Sequence, residues 1–413
     1  MIRELLCVFM VLLLPQSIKA EDKFTRPDGK NLQPYSPELV EKAKAGDTQA
    51  QFSLGIALLV GEGIEKSENE AAKWFKKSAE LGNPWGEANL GLSYLYGKGL
   101  TKNEKEAVKW LSKSADQGIA GAQYSLGWCY FEGRGVEKNE KEAVRLFAKS
   151  SEGGNIQGQF KLGQCYFEGK GVDKDHKEAV KWFSKAAEQD DAWSQLYLGQ
   201  CLYEGKGVEK NEKEAVKWFK KSAEQGNSWG QYYFGLCLFE GRGVEKNGKE
   251  AVIWFRKSAE QANTAGQFDL GRCYIEGIGV DKDETEAVRW LRKSAEQDFA
   301  IGQNYLAWIL STSRNPSIRN GKEAEKMASK AVELLGKSDP YSLLPYALGT
   351  LAAAYAEQSN FEKAILIQEK AVAMIKNEGK KEEFKARLKS YLDGQPWREK
   401  QLGGDIKYST NPQ

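Results

Sequence analysis

Seven glycines, Gly55, Gly91, Gly127, Gly163, Gly199, Gly235 and Gly271, stand 36 residues apart, and Ala307 takes the next place. Ala71, Ala107, Ala143, Ala179, Ala215, Ala251 and Ala287 keep the same step. A fixed period of this length means one supersecondary unit used repeatedly, each copy burying its apolar face only by stacking on its neighbours. Seven complete units run from Asp47 to Asp298.

Each unit reads as two helices and two turns. The second helix opens with Asn or Asp followed three residues later by Glu, as in Asn103/Glu106, Asn139/Glu142, Asp175/Glu178, Asn211/Glu214, Asn247/Glu250 and Asp283/Glu286. That spacing predicts a capping box. Its apolar residues, Ala107, Val108, Trp110, Leu111 and Ala115 in one copy, follow helical spacing. Gly82, Gly118, Gly154 and Gly226 end it where a left-handed residue is wanted, whereas Asp190, Ala262 and Asp298 take that place in other copies. The first helix ends in a Gly-x-Gly turn, as at Gly97/Gly99 and Gly133/Gly135.

The run Leu126–Leu146 reads Leu-Gly-x-x-Tyr-x-x-Gly-x-Gly-Val-x-Lys-Asn-x-x-Glu-Ala-Val, with Leu146 where other copies have Trp. It resembles the Sel-like repeat (SLR), a subclass of tetratricopeptide-type repeats, over about Ser36 to Thr312. The resemblance implies an all-α, right-handed α-solenoid whose concave face binds proteins or peptides. Ser36–Gly46 fits the second half of a unit and reads as an N-terminal cap, with residues 21–46 forming linker and cap. The solenoid occupies residues 47–312, ending on the first helix of an eighth unit. Beyond it, Ala324/Ala331 and Ala364/Ala371 repeat an Ala-x6-Ala pattern. With Leu351, Ala352, Tyr355 and Phe361 they resemble a tetratricopeptide module over 313–392, closed by a helix at Lys380–Leu392. Residues 393–413 are expected to be a disordered tail.

Residues 1–20 read as an export leader: Arg3, the apolar run Leu5–Leu14, and a polar stretch ending at Ala20 before Glu21. The run is too short to span a bilayer, which takes roughly 20 apolar residues, so no stable membrane insertion is expected after cleavage. The chain is expected to be periplasmic or secreted and bacterial.

Units of one chain can be compared with each other. In the first helix, the equivalents of Trp85, Asn89, Leu92 and Tyr96 vary most, and their spacing puts them on one stripe within about 60°. The stripe holds Trp85, Tyr96, Trp128, Trp193, Tyr197, Trp229, Tyr233, Tyr305 and Trp308. It also holds a row of glutamates, Glu132, Glu168, Glu204, Glu240 and Glu276, with Lys161 and Arg272 as exceptions. Two readings stand side by side: a concave groove with aromatic anchors, or rings partly buried by neighbouring units. The glutamates either select cationic segments or solvate the rim beside nearby lysines. Trp85, Tyr96, Trp128, Trp193, Tyr197, Trp229, Tyr233, Glu204, Glu240 and Trp308 are the candidate partner-binding residues. Trp74, Trp110, Trp182, Trp218, Trp254 and Trp290 share a slot of the second helix expected to be core.

Enzyme signals are thin. Lys+Arg number 60 against 58 Asp+Glu, a net charge of +2, which supplies no field for nucleic acid. The single histidine, His176, excludes mechanisms needing two imidazoles and reads as a surface substitution. No Ser-x-x-Lys occurs, and no Gly-x-Ser-x-Gly elbow is expected. Cys129, Cys165, Cys201, Cys237 and Cys273, one per unit, are expected to be buried free thiols, since stacked helices stand about 8–10 Å apart and a disulfide needs less than about 7 Å. No cofactor or metal is expected. The chain reads as a monomeric, non-catalytic scaffold or adaptor of the bacterial envelope. The alternative is a cell-wall glycan-binding protein or envelope hydrolase.

Overall fold

In the computed structural model, residues 32–337 and 343–399 are described; the leader at 1–20, the linker up to residue 31 and the tail from residue 400 lie outside them. The described residues form helices and turns only, and none of the helices is long and apolar enough to cross a membrane. The chain divides between Trp218 and Phe219 into two compact units.

The N-terminal unit begins with α1 (Pro37–Lys44), the half-repeat cap. First helices are α2 (Thr48–Val60), α4 (Pro84–Tyr96), α6 (Ala120–Glu132), α8 (Ile156–Glu168) and α10 (Ala192–Glu204). They alternate with second helices α3 (Glu68–Glu80), α5 (Glu104–Asp116), α7 (Glu140–Glu152) and α9 (His176–Glu188). The division falls inside α11 (Glu212–Glu224). The C-terminal unit continues the alternation through α12 (Ser228–Glu240), α13 (Gly248–Glu260), α14 (Thr264–Glu276), α15 (Glu284–Ala295) and α16 (Ala300–Thr312). It then adds α17 (Gly321–Lys337), α18 (Leu344–Glu357), α19 (Phe361–Met374) and α20 (Glu378–Leu392).

The 36-residue glycine has a steric cause. The residue after the tryptophan slot of the second helix, Phe75, Leu111, Phe147, Phe183, Phe255 or Leu291, is fully buried against the first helix of its own repeat. A Cβ on Gly127 would stand 2.8 Å from the Phe147 ring, and one on Gly163 2.8 Å from the Phe183 ring. Only glycine lets the ring lie on helix backbone. The tryptophans expected in the core lie beside that slot instead. Trp74, Trp110, Trp218 and Trp254 are half-buried, Trp182 and Trp290 more so. Lysines three residues on cover several of these rings: Lys77 at 4.1 Å from Trp74, Lys113 at 4.2 Å from Trp110 and Lys257 at 4.1 Å from Trp254.

The capping box forms only by half. Asn103, Asn139 and Asn211 accept from the backbone N–H three residues on, at 3.2, 3.0 and 3.0 Å. The reciprocal glutamate bond is replaced, because the cap's own N–H donates to the first helix: Asn103 to Tyr94 at 2.9 Å and Asn139 to Tyr130 at 2.8 Å. The freed glutamates pair along their helix, as Glu142 does with Arg145 and Glu178 with Lys181.

Two side-chain ladders run along the repeats, the first joining the two helices of each repeat and the second joining each repeat to the one before. Ser78, Ser114, Ser150 and Ser258 donate to the carbonyl 30 residues earlier, at the start of the preceding first helix, each at 2.7 Å. Gln123, Gln159, Gln195 and Gln231 donate to the carbonyl eight residues earlier, at the end of the preceding helix. Satisfying carbonyls sideways in this way fixes the angle between the two helices of a repeat through the serines, and the angle at which each unit sits on the last through the glutamines.

Candidate interaction face

First helices of successive repeats in the N-terminal unit touch each other, α2 with α4, α4 with α6 and α6 with α8. Their variable stripes therefore share one inner face, and packing differs along it. Trp85 is half-buried, its ring 6.3 Å from Phe52. Tyr96 is half-buried beneath the Arg134 guanidinium, 5.7 Å from the ring, and burial pushes its hydroxyl up to about 12. Trp128 stacks on Phe131 at 6.1 Å with 19° between planes. Trp193 keeps partial exposure and Glu204 is exposed, its carboxylate 2.6 Å from Lys206.

Other candidates are interior. Tyr197 is 2% exposed, enclosed by Phe160, Phe167 and Phe183 at 5.6, 5.9 and 5.0 Å. In the C-terminal unit, Trp229 and Tyr233 are 6% and 5% exposed; Tyr233 stacks on Phe219 at 5.2 Å. Trp308 is 2% exposed, with the Arg387 guanidinium of α20 at 4.4 Å. The expectation that these four rings face solvent is corrected. The stripe is not wholly opposite the core: where the preceding unit supplies large rings, as it does to Tyr197 and Tyr233, they close on the stripe residue. Glu240 is largely covered and 3.2 Å from Arg242. The glutamate row accordingly interacts with basic residues nearby, Glu168 with Lys170 at 2.7 Å included.

Two stripe residues are half-buried cations. Arg272 of α14 is neutralised by Asp269 at 2.7 Å and Glu276 at 3.5 Å, and Asp269 also accepts from the Tyr232 hydroxyl at 3.2 Å. Lys161 of α8 donates to Gln164 at 2.8 Å and lies 4.6 Å from the Trp128 ring, with no carboxylate within 4.0 Å among the described residues. Burial pushes its amine down. The visible signal for both was a positive charge in a column that has none in any other copy.

The segment after α20, expected to be disordered, is docked as far as Glu399. The Arg398 guanidinium reaches the Ser311 carbonyl at 3.3 Å and Glu357 at 2.6 Å, while the Glu399 N–H donates to Thr312 at 3.1 Å. Free carbonyls at the end of α16 explain this: a helix C-terminus attracts donors and positive charge.

The Sel1 repeat family model matches residues 48–83, 86–119, 120–155, 156–191, 194–227, 230–263 and 264–299, more than half of the chain. The chain belongs to the Sel1 repeat family. It is an all-α helical repeat solenoid, and Sel1 repeat proteins generally serve as non-catalytic protein–protein interaction scaffolds. A solved relative, the protective antigen c5321 of uropathogenic Escherichia coli with an SLR fold, is 33% identical over 87% of this chain and 75% of its own, with a TM-score of 0.72. A Sel1 repeat protein of Oxalobacter formigenes is 30% identical over 59% of this chain and 96% of its own, with a TM-score of 0.54. No curated protein matches.

Chemistry within these Sel1 repeats is sparse. Against the expectation of no such motif, Gly226-Asn227-Ser228-Trp229-Gly230 spells Gly-x-Ser-x-Gly. It opens α12 after a helix and a turn, not after a strand, and the Ser228 carbonyl accepts from Ser258. His176, read as a surface residue, is half-buried with its ring 4.9 Å from Phe167. Cys129, Cys165, Cys201, Cys237 and Cys273 are buried free thiols. Burial raises Cys129 and Cys165 to about 12, so neither is a nucleophile at neutral pH. Among the described residues no three His, Cys, Asp or Glu side chains converge to hold a metal ion.

Proposed function

We propose that this Sel1 repeat protein is a monomeric, non-catalytic scaffold of the bacterial envelope, holding a peptide or protein partner on the inner face of its N-terminal unit. One observation carries the reading: Trp85, Tyr96, Trp128 and Trp193, on α4, α6 and α10, are half-buried, whereas the candidate rings of the C-terminal unit, Trp229, Tyr233 and Trp308, are buried. Partly open rings on a rigid support are ready-made anchors, and complete burial of each supplies roughly 1.5–3 kcal/mol. Glu204 sets the polarity of the rim. Tyr197 packs the interior behind this face, against Phe160, Phe167 and Phe183; Trp229, Tyr233 and Trp308 are packed inside the C-terminal unit, where Glu240 pairs with Arg242. Export rests on the leader at residues 1–20, with cleavage between Ala20 and Glu21. The near-neutral net charge gives nucleic acid no hold.

The test is affinity capture from bacterial envelope extract by wild type and by a Trp85→Ala, Tyr96→Ala, Trp193→Ala variant, with circular dichroism to show both folded. A protein retained by wild type and lost by the variant supports the reading. Equal recovery moves the binding surface off this face. Release of the captured protein by muropeptides favours the glycan alternative.

A further inference from the structure

One rung of the glutamine ladder is a glutamate. The slot holds Gln51, Gln123, Gln159, Gln195, Gln231, Gln267 and Gln303, and in the remaining copy Glu87. All seven amides donate to the carbonyl eight residues earlier, at 3.1–3.4 Å. Gln159, Gln231 and Gln267 also accept through their oxygens from a glutamine 30 residues later, each at 2.8 Å. Glu87 keeps only this second bond: its Oε2 accepts from the Gln117 amide at 2.7 Å. Oε2 thus stands where glutamine has its oxygen, and the planar carboxyl sets Oε1 where glutamine has its N–H. The carbonyl eight residues earlier is that of Ala79, near the end of α3. An ionised carboxylate has no hydrogen to give it. The Ala79 carbonyl still accepts from the Gly82 N–H at 3.0 Å, so the turn forms, but without the sideways bond that the other seven joins have.

The surroundings do little to hold the charge. Glu87 is 4% exposed, and no cation lies within 4.0 Å of it among the described residues. Helix α2 carries no charged residue and α6 only Glu132, at its far end. At the end of α3, Lys76 and Glu80 pair with each other and Lys77 covers Trp74. Burial raises the Glu87 carboxyl above the ordinary glutamate value, against Lys113 of α5 and the Gln117 amide. We propose that Glu87 is a proton-operated latch between the first two repeats: protonated, it donates to the Ala79 carbonyl as glutamine does in every other copy, and ionised, it leaves that rung unmade. The folded chain takes up this proton at a higher pH than the unfolded chain. The cost of the ionised join is therefore full above the folded value, falls as pH drops through it, and is gone below the unfolded value. Helix α4 also carries Trp85 and Tyr96, so acid stiffens the element that presents them. The latch holds whether or not that face binds a partner.

The test is hydrogen–deuterium exchange of the full chain between about pH 7.5 and 4.5, read by mass spectrometry and corrected for the intrinsic pH dependence of exchange. Helices α12 and α14, whose slots hold Gln231 and Gln267, are the internal reference. Glu87→Gln, which supplies the residue of the other seven copies, should slow exchange in α4 about fivefold or more at the neutral end, the fold-change of one added hydrogen bond. The gap between this variant and wild type should close as pH falls. Glu87→Ala, with neither charge nor donor, should remain faster than the Gln variant at both ends. A gap that does not change with pH, or a Gln variant no slower than wild type at neutral pH, overturns the proposal. So does an Ala variant that tightens in acid as wild type does, or a pH response of equal size in α12 and α14, because either places the acid effect elsewhere than on Glu87.

Discussion

Ala262 sits in a slot that glycine fills in four of the other units, and its φ is +59°. A left-handed backbone costs an alanine about 1–2 kcal/mol, part of which glycine returns through the greater freedom of its unfolded chain. Ala262→Gly should therefore stabilise the C-terminal unit by about 1 kcal/mol, read as a higher urea midpoint; no gain would mean that the turn relaxes elsewhere. Lys161 makes the opposite kind of statement. In the unfolded chain its amine titrates near 10.5, and burial lowers it in the folded chain, while Cys165, Glu168 and Glu132 oppose that shift and Lys170 adds to it. Below the folded value both states hold the proton, and the folded one bears the desolvation cost of a half-buried amine. As pH rises between the two values the folded state releases its proton first and sheds that cost. Lys161→Met is thus expected to raise stability by about 1 kcal/mol or more at pH 7, a gain that shrinks towards pH 10.5 in denaturation curves. A gain that grows with pH would contradict this account.

At the scale of the element, the contact between a second helix and the next first helix is decided by pairs of small side chains. Ser150 faces Gly158, and a Cβ on that glycine would stand 2.6 Å from the serine hydroxyl. In the following copy both members change together, to Ala186 and Ser194. Gly158→Ser alone should cost about 1–3 kcal/mol from overpacking. Ser150→Ala with Gly158→Ser, which reproduces the natural pair, should recover most of it in a double-mutant cycle. Additive losses would show that the pair is not coupled. The helices themselves were legible beforehand from Asn and Asp caps, Gly-x-Gly turns and apolar spacing. The ladders were not, because Ser114 or Gln123 has the composition of any polar helix residue until the neighbouring helix brings a carbonyl to it.

For the whole molecule, the C-terminal unit closes on itself through residues the sequence gives no reason to order. Arg398 and Arg319 share Glu357, and Arg387 covers Trp308. Truncation after Leu392 leaves Arg387 in place but removes the Arg398 pair and reopens the carbonyls of Ser311 and Thr312. It should destabilise the unit by about 1–3 kcal/mol and speed amide exchange in α16 and α18, with α2 to α8 unaffected. Unchanged exchange would make the segment an ornament rather than a closure.

Periodicity alone determined the class of fold, the helix–turn–helix unit and the turn glycines, because each depends on residues close in the chain or repeated at a fixed step. It also marked the variable stripe. Which stripe residues remain open was decided only in three dimensions. Trp193 and Trp229 occupy the same slot of adjacent copies, yet one is half-buried and the other 6% exposed. A ring's exposure depends on the volume of side chains arriving from other helices, and that sum is not written at the residue itself.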